Sequence, residues 1–114
     1  MKSTLAENLA KLPLPATAKW PDGVWDVEAM AHGSMSVVLF APRGRDYQTA
    51  HDQDELYFVV TGAADFVRET GQRRCGRGDA LFVPAGAPHH FENMSDDFVT
   101  WAVFYGPSGG EAKR

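Results

Sequence analysis

The chain has 114 residues, 44% hydrophobic and 23% charged, with eleven Lys and Arg against fifteen Asp and Glu for a formal net charge of −4. That length supports one domain with a single modest core, burying roughly two-thirds of the surface its unfolded form exposes. The composition excludes a wholly disordered protein, the acidic balance offers no basic footprint for nucleic acid, and no apolar run approaches the ~20 residues of a membrane span.

Residues 1–22 read as a leader. Thr4 and Glu7 have capping-box spacing, and Leu5, Leu9 and Leu12 share one helical face until Pro13 and Pro15 stop the pattern. A short helix is predicted, with its leucines packed on the body of the protein or on a second subunit. The N-terminus lacks the apolar core of a signal peptide, so a cytoplasmic location is expected.

From residue 23 to residue 106 the texture changes to short β-rich runs broken by turn residues, the sign of an all-β sandwich or barrel. Strands are predicted at 24–30, 35–41, 55–61, 63–69, 80–83, 89–93 and 98–105, with a further short hairpin punctuated by Gly71, Gly76 and Gly78. Gly33 supplies the turn between the first two. Cys75 is the only cysteine, so no internal disulfide can form. Arg73, Arg74 and Arg77 would favour its thiolate, but without a partner at catalytic spacing it reads as an exposed strand end. The last strand is apolar on both faces, and one of them is a candidate dimer interface. Residues 107–114 lack large apolar side chains and are expected to form a flexible tail.

The chemistry lies in two patches. Thr49, His51, Gln53, Glu55 and Tyr57 alternate along the chain, so an uninterrupted strand would direct all five to one face. His89, Phe91 and Asn93 likewise share a face, opposite His90 and Glu92. His51, Glu55 and His89, brought together inside a barrel, would suit a divalent transition metal; as isolated residues the histidines would instead be neutral, hydrogen-bonded pocket groups. Glu55 is also a candidate general base, and Tyr57 a candidate catalytic or pocket-lining residue. Gln53 is a weak candidate for coordination through its amide oxygen. Asn93 is expected to secure its local backbone, Phe91 to fill core, and His90 and His32 to lie outside the centre.

The spacing of Gly78, Pro84, Gly86, His89 and Asn93 resembles the second motif of the cupin family at every position. His51, Glu55 and Gly62 resemble the later part of its first motif, whose initial histidine is here Thr49, and fifteen residues separate Gly62 from Gly78 as in compact cupins. The resemblance implies a double-stranded β-helix, or jelly-roll barrel, in which His51, Glu55 and His89 hold a divalent transition metal such as iron, manganese, zinc or nickel. Thr49 is a poor ligand for such metals, which opens a coordination position to water or substrate. The resemblance also implies a homodimer. Two functions follow: a metal-dependent enzyme, oxygenase-like or an isomerase or decarboxylase, acting on a small oxygen-bearing molecule; or a non-catalytic cupin that binds or senses a small ligand in the same pocket.

Overall fold

The structure, a computed structural model, describes residues 1–113. Thr4 caps α1 (Leu5–Leu9), its hydroxyl accepting from the Glu7 amide at 3.1 Å. Eight strands follow: β1 (Asp26–His32), β2 (Met35–Phe40), β3 (Asp54–Thr61), β4 (Ala63–Arg68), β5 (Gly71–Gly76), β6 (Ala80–Val83), β7 (His89–Glu92) and β8 (Val99–Tyr105). All pair antiparallel, in a five-stranded sheet of order β1-β2-β8-β3-β6 and a three-stranded sheet of order β5-β4-β7. The all-β jelly roll with a short N-terminal helix is therefore the observed architecture.

The strand alternation sorts side chains as their hydropathy demands. Phe40, Tyr57, Val59 and Ala102 from the larger sheet meet Phe66, Cys75 and Phe91 from the smaller one, with Phe98 and Val83 closing the core. On the outer face of the larger sheet, Leu5, Leu9 and Leu12 cover Leu39, Val99, Val60 and Trp101. The helix thus packs on its own barrel, because that face would otherwise leave large apolar side chains in water. Phe58 and Phe82, on neighbouring strands of the same sheet, stay 45% and 49% exposed. Thr4→Ala removes the N-terminal side-chain cap of α1 and is expected to cost about 1 kcal/mol in a urea titration. An unchanged midpoint would mean that the helix contributes nothing to the cooperative unit.

Two glycines show why these turns need them. Gly33 joins β1 to β2 with φ +58° and open space around its α-carbon. Gly62, at φ +73°, is enclosed: a β-carbon there would lie 2.7 Å from the Phe98 α-carbon and 2.5 Å from Ser95 Oγ. Residues 107–113 run back over the loop before β3. Gly109 donates its amide to the Asp52 carbonyl, and the Glu111 amide donates to Asp54 Oδ2 at 2.9 Å.

Cys75 is buried rather than exposed, because β5 turns it into the core, and its thiol donates to the Ala64 carbonyl at 3.4 Å. Burial pushes its pKa up despite the nearby arginines. Alkylation of the native protein is expected to run slower than that of the urea-unfolded chain by on the order of 100-fold or more, a ratio that a simple thiol-reagent time course measures.

Candidate metal centre

The turn of the second motif organises both patches. Gly86, at φ +79°, donates its amide to the His51 carbonyl at 2.6 Å, and the Ala85 amide donates to Asp54 Oδ1 at 2.9 Å. The same residues that let the chain reverse before β7 therefore fix the segment that carries His51 and Glu55. Glu55 and Tyr57 point inward from β3 and His89 from β7, all buried. His51 enters from the loop ahead of β3 and stays partly exposed.

The expectation of one uninterrupted strand from residue 49 fails, because β3 begins only at Asp54. Thr49 and Gln53 consequently do not join the ligand group, although Gln53 still lines the adjoining cavity. The Thr49 hydroxyl accepts from Lys19 Nζ at 3.2 Å, and Gln53 donates to the carbonyls of Ser34 and Gly106. His90 pairs with Glu92 outside, and His32 is exposed at the end of β1. Asn93 adopts φ +50° and donates to Asp65 Oδ2 across to β4.

At the centre, one ligand atom from each of His51, Glu55 and His89 lies within 4.8 Å of the others. Glu55 Oε1 is 3.1 Å from His89 Nε2 and 3.7 Å from His51 Nε2. His89 Nδ1 lies 2.8 Å from the Ala87 carbonyl, which only accepts, so Nδ1 carries the proton of the neutral ring and Nε2 presents a lone pair. With the ring neutral, Glu55 Oε1 is left in the interior without a hydrogen-bond donor, whereas a protonated ring supplies one from Nε2.

Tyr57 adds to this concentration of electron pairs. Its hydroxyl donates to Gln48 Oε1 at 3.0 Å and turns a lone pair toward His89 Nε2, 3.1 Å away. The Gln48 amide has no freedom to flip, since its nitrogen donates to Asp46, an obligate acceptor when ionised. Asp46 itself also accepts from the backbone amides of Gln48 and Phe91. Asp46 and Gln48 carried no spacing signal in the sequence, although Asp46 accepting from the amide two residues on is an Asx turn that the residue type permits.

Electrostatics treat the two histidines differently. Burial lowers the pKa of His51, with Glu55 opposing. Burial also presses His89 toward its neutral form, but the Glu55 carboxylate and the Ala87 carbonyl outweigh it and raise its pKa. Burial, with the charges of Glu55 and Asp46, raises the Tyr57 pKa well above 10.0, so its proton is retained. A buried carboxylate oxygen and two imidazoles, with a phenol oxygen beside them, form a donor set that fits a divalent transition metal. A cavity of about 350 Å³ opens from this group, walled by Val38, Phe40 and Phe104, with Lys19, Trp20 and Asp26 at its mouth.

Residues 36–105 match the cupin domain, and the chain belongs to the cupin family. It is 36% identical over 88 residues to an uncharacterized protein of Streptomyces coelicolor, covering 75% of this chain and 83% of that one. It is 34% identical over 71 residues to a dimethylsulfoniopropionate lyase of Ruegeria pomeroyi, covering 60% of this chain and 35% of the lyase. The lyase's crystal structure superposes with a TM-score of 0.62 at 28% identity, over 71% of this chain and 46% of that one. Acireductone dioxygenase 1 of Pectobacterium atrosepticum is 38% identical over 64 residues, 52% of this chain and 37% of the dioxygenase. The chain therefore spans about a third of the length of these two enzymes. Among the described residues, no helix is long and apolar enough to cross a membrane.

Proposed function

We propose that this cupin is a metal-dependent enzyme acting on a small oxygen-bearing molecule, with iron, manganese, zinc or nickel held by His51, Glu55 and His89. The observation that carries the reading is the convergence of Glu55 Oε1, a buried carboxylate oxygen, with two imidazole nitrogens 3.1 Å and 3.7 Å away. Water-exposed carboxylates need no partner, but a buried one costs several kcal/mol unless paired or bound to a cation. When bound, such an ion supplies Lewis-acid activation of a substrate oxygen.

The chain's own residues supply the remainder. Tyr57 keeps its proton beside the ligand group and is placed to give it to a substrate atom, while Gln48, held by Asp46, fixes the phenol's orientation. The apolar walls of Val38, Phe40 and Phe104 limit water near the reacting atoms. Of the two chemistries open to such a set, dioxygen activation and proton transfer in isomerisation, elimination or decarboxylation, a protonated buried phenol favours the second. Similarity to a lyase and to a dioxygenase favours an enzyme over a binding barrel, and the exposed Phe58 and Phe82 favour a homodimer.

The test is elemental analysis of untagged protein reloaded without oxygen, for wild type and for the triple variant His51→Ala, Glu55→Ala, His89→Ala. About one first-row metal per chain is expected in the wild type only. Equal content in both would overturn the metal reading. Metal and ligand binding without turnover of any small hydroxy, keto or phenolic acid would leave the binding or sensing role. Sedimentation checks the dimer.

A further inference from the structure

The mouth of the cavity is chemically distinct from its floor. Trp20 wedges edge-on against Phe40 and Tyr47, and the Thr17–Trp20 turn is closed by hydrogen bonds in both directions. Lys19 is thereby carried to the opening, where its Nζ donates to the Thr49 hydroxyl. That threonine stands where the family motif has a histidine, so the position that would have held a metal ligand instead steadies an ammonium. Among the described residues, no carboxylate lies within 4.0 Å of Lys19 Nζ.

Across the strand ladder, Asp26 pairs with Phe40 and shares its inward face. Its carboxylate is half-buried, and among the described residues it makes neither a side-chain hydrogen bond nor an ion pair. Burial raises its pKa, with Lys19 and His51 pulling the other way, so its charge is poorly solvated and gains from a donor. One cavity therefore holds an unpaired ammonium and an unpaired carboxylate that do not pair with each other.

We propose that this mouth selects a small carboxylate that also carries a hydroxyl, with Lys19 binding the carboxylate and Asp26 accepting from the hydroxyl. The inference rests on the reading of the cavity as a substrate site and names the substrate class for it. A neutral ligand would leave Lys19 unused, and a simple carboxylate without a donor would be repelled by Asp26.

The experiment is chemical-shift titration of metal-free protein with glycerate, with butyrate as the analogue lacking hydroxyls and glyceramide as the uncharged one. Glycerate is expected to bind in the millimolar range and at least about 5-fold more tightly than either analogue. Lys19→Met is expected to weaken glycerate by about 10-fold or more, and Lys19→Arg to keep it within about 3-fold, since one charge-assisted hydrogen bond is at stake. Asp26→Ala is expected to bring glycerate and butyrate to near equality. Equal binding of the three probes by wild type, no binding of glycerate at all, or an unchanged affinity in a folded Lys19→Met would overturn the proposal. Metal content is measured in parallel: metal retained without glycerate binding defeats this inference alone, whereas glycerate binding through Lys19 in a protein that takes up no metal defeats only the metal reading.

Discussion

Glu55→Gln is expected to lower metal affinity by at least about 100-fold and, at the same time, to make the metal-free protein more stable. The two effects share one cause. At alkaline pH the His89 ring is neutral, its proton on Nδ1 toward Ala87, so its Nε2 lone pair confronts the orphaned Glu55 Oε1 across 3.1 Å. A carboxamide of the same shape places an N–H there, which donates to His89 Nε2 and removes the unpaired oxygen. Relief of an unsatisfied buried acceptor contributes about 1–2 kcal/mol, which for a domain of this size raises Tm by about 5 °C. The sign depends on pH. The Glu55 carboxylate raises the His89 pKa, so their ion pair contributes fully below the unfolded value of 6.5 and is lost as pH rises through the higher folded value. The advantage of glutamine should therefore appear at pH 8.5 and shrink or reverse below pH 6. Metal titrations and melting curves at the two pH values check it; a metal-free variant less stable than wild type at pH 8.5 would mean that Glu55 is already satisfied.

The largest loss of stability is expected from Gly62→Ala, far from any candidate ligand. An L-residue at φ +73° is strained by roughly 1–2 kcal/mol, and the added methyl would sit 2.7 Å from both Asp97 Oδ1 and the Phe98 α-carbon. Ser95 and Asp97 cannot give way freely, because Ser95 Oγ accepts from the Ala63 amide and donates to Asp97, whose carbonyl accepts from Thr61. Phe98 is wholly buried and leads directly into β8, the central strand of the larger sheet. A total of about 3–5 kcal/mol follows, a fall in Tm of roughly 15 °C. Gly33→Ala meets nothing within 4 Å and should cost only the backbone strain. Similar midpoints for the two variants in urea would show that the turn at Gly62 relaxes at little cost.

What the sequence revealed follows from which interactions are local. Period-two alternation placed Glu55, Tyr57, His89 and Phe91 inside and His90 and Glu92 outside, because within a regular strand each side chain's direction is fixed by its neighbours. The same rule failed for Thr49 and Gln53, where no ladder hydrogen bonds hold the chain extended and capture by Lys19, Ser34 and Gly106 decides the direction. His51 reached the site for a reason that alternation does not contain, its carbonyl being held by the Gly86 amide. Asp46, Gln48 and Lys19 went unnoticed because each acts through a partner distant in sequence, and Asp26 because only the fold brings it to the cavity. Cys75 was misplaced by its charged neighbours, which lie on the solvent side of the edge strand β5 while the thiol packs beneath Ala64.

Glu55 belongs to the five-stranded sheet and His89 to the three-stranded one, with the Phe91, Phe66 and Tyr57 rings packed between them. The spacing of the ligand atoms is thus a readout of how far apart the two sheets sit. A small loss of volume in those rings' surroundings, such as the two methyl groups removed by Val59→Ala, moves no ligand directly, yet it alters the distance that the coordination sphere must accommodate. For the proposed metal site, affinity is expected to gauge core compression, with drift in the core felt first as a change in which ion the site prefers.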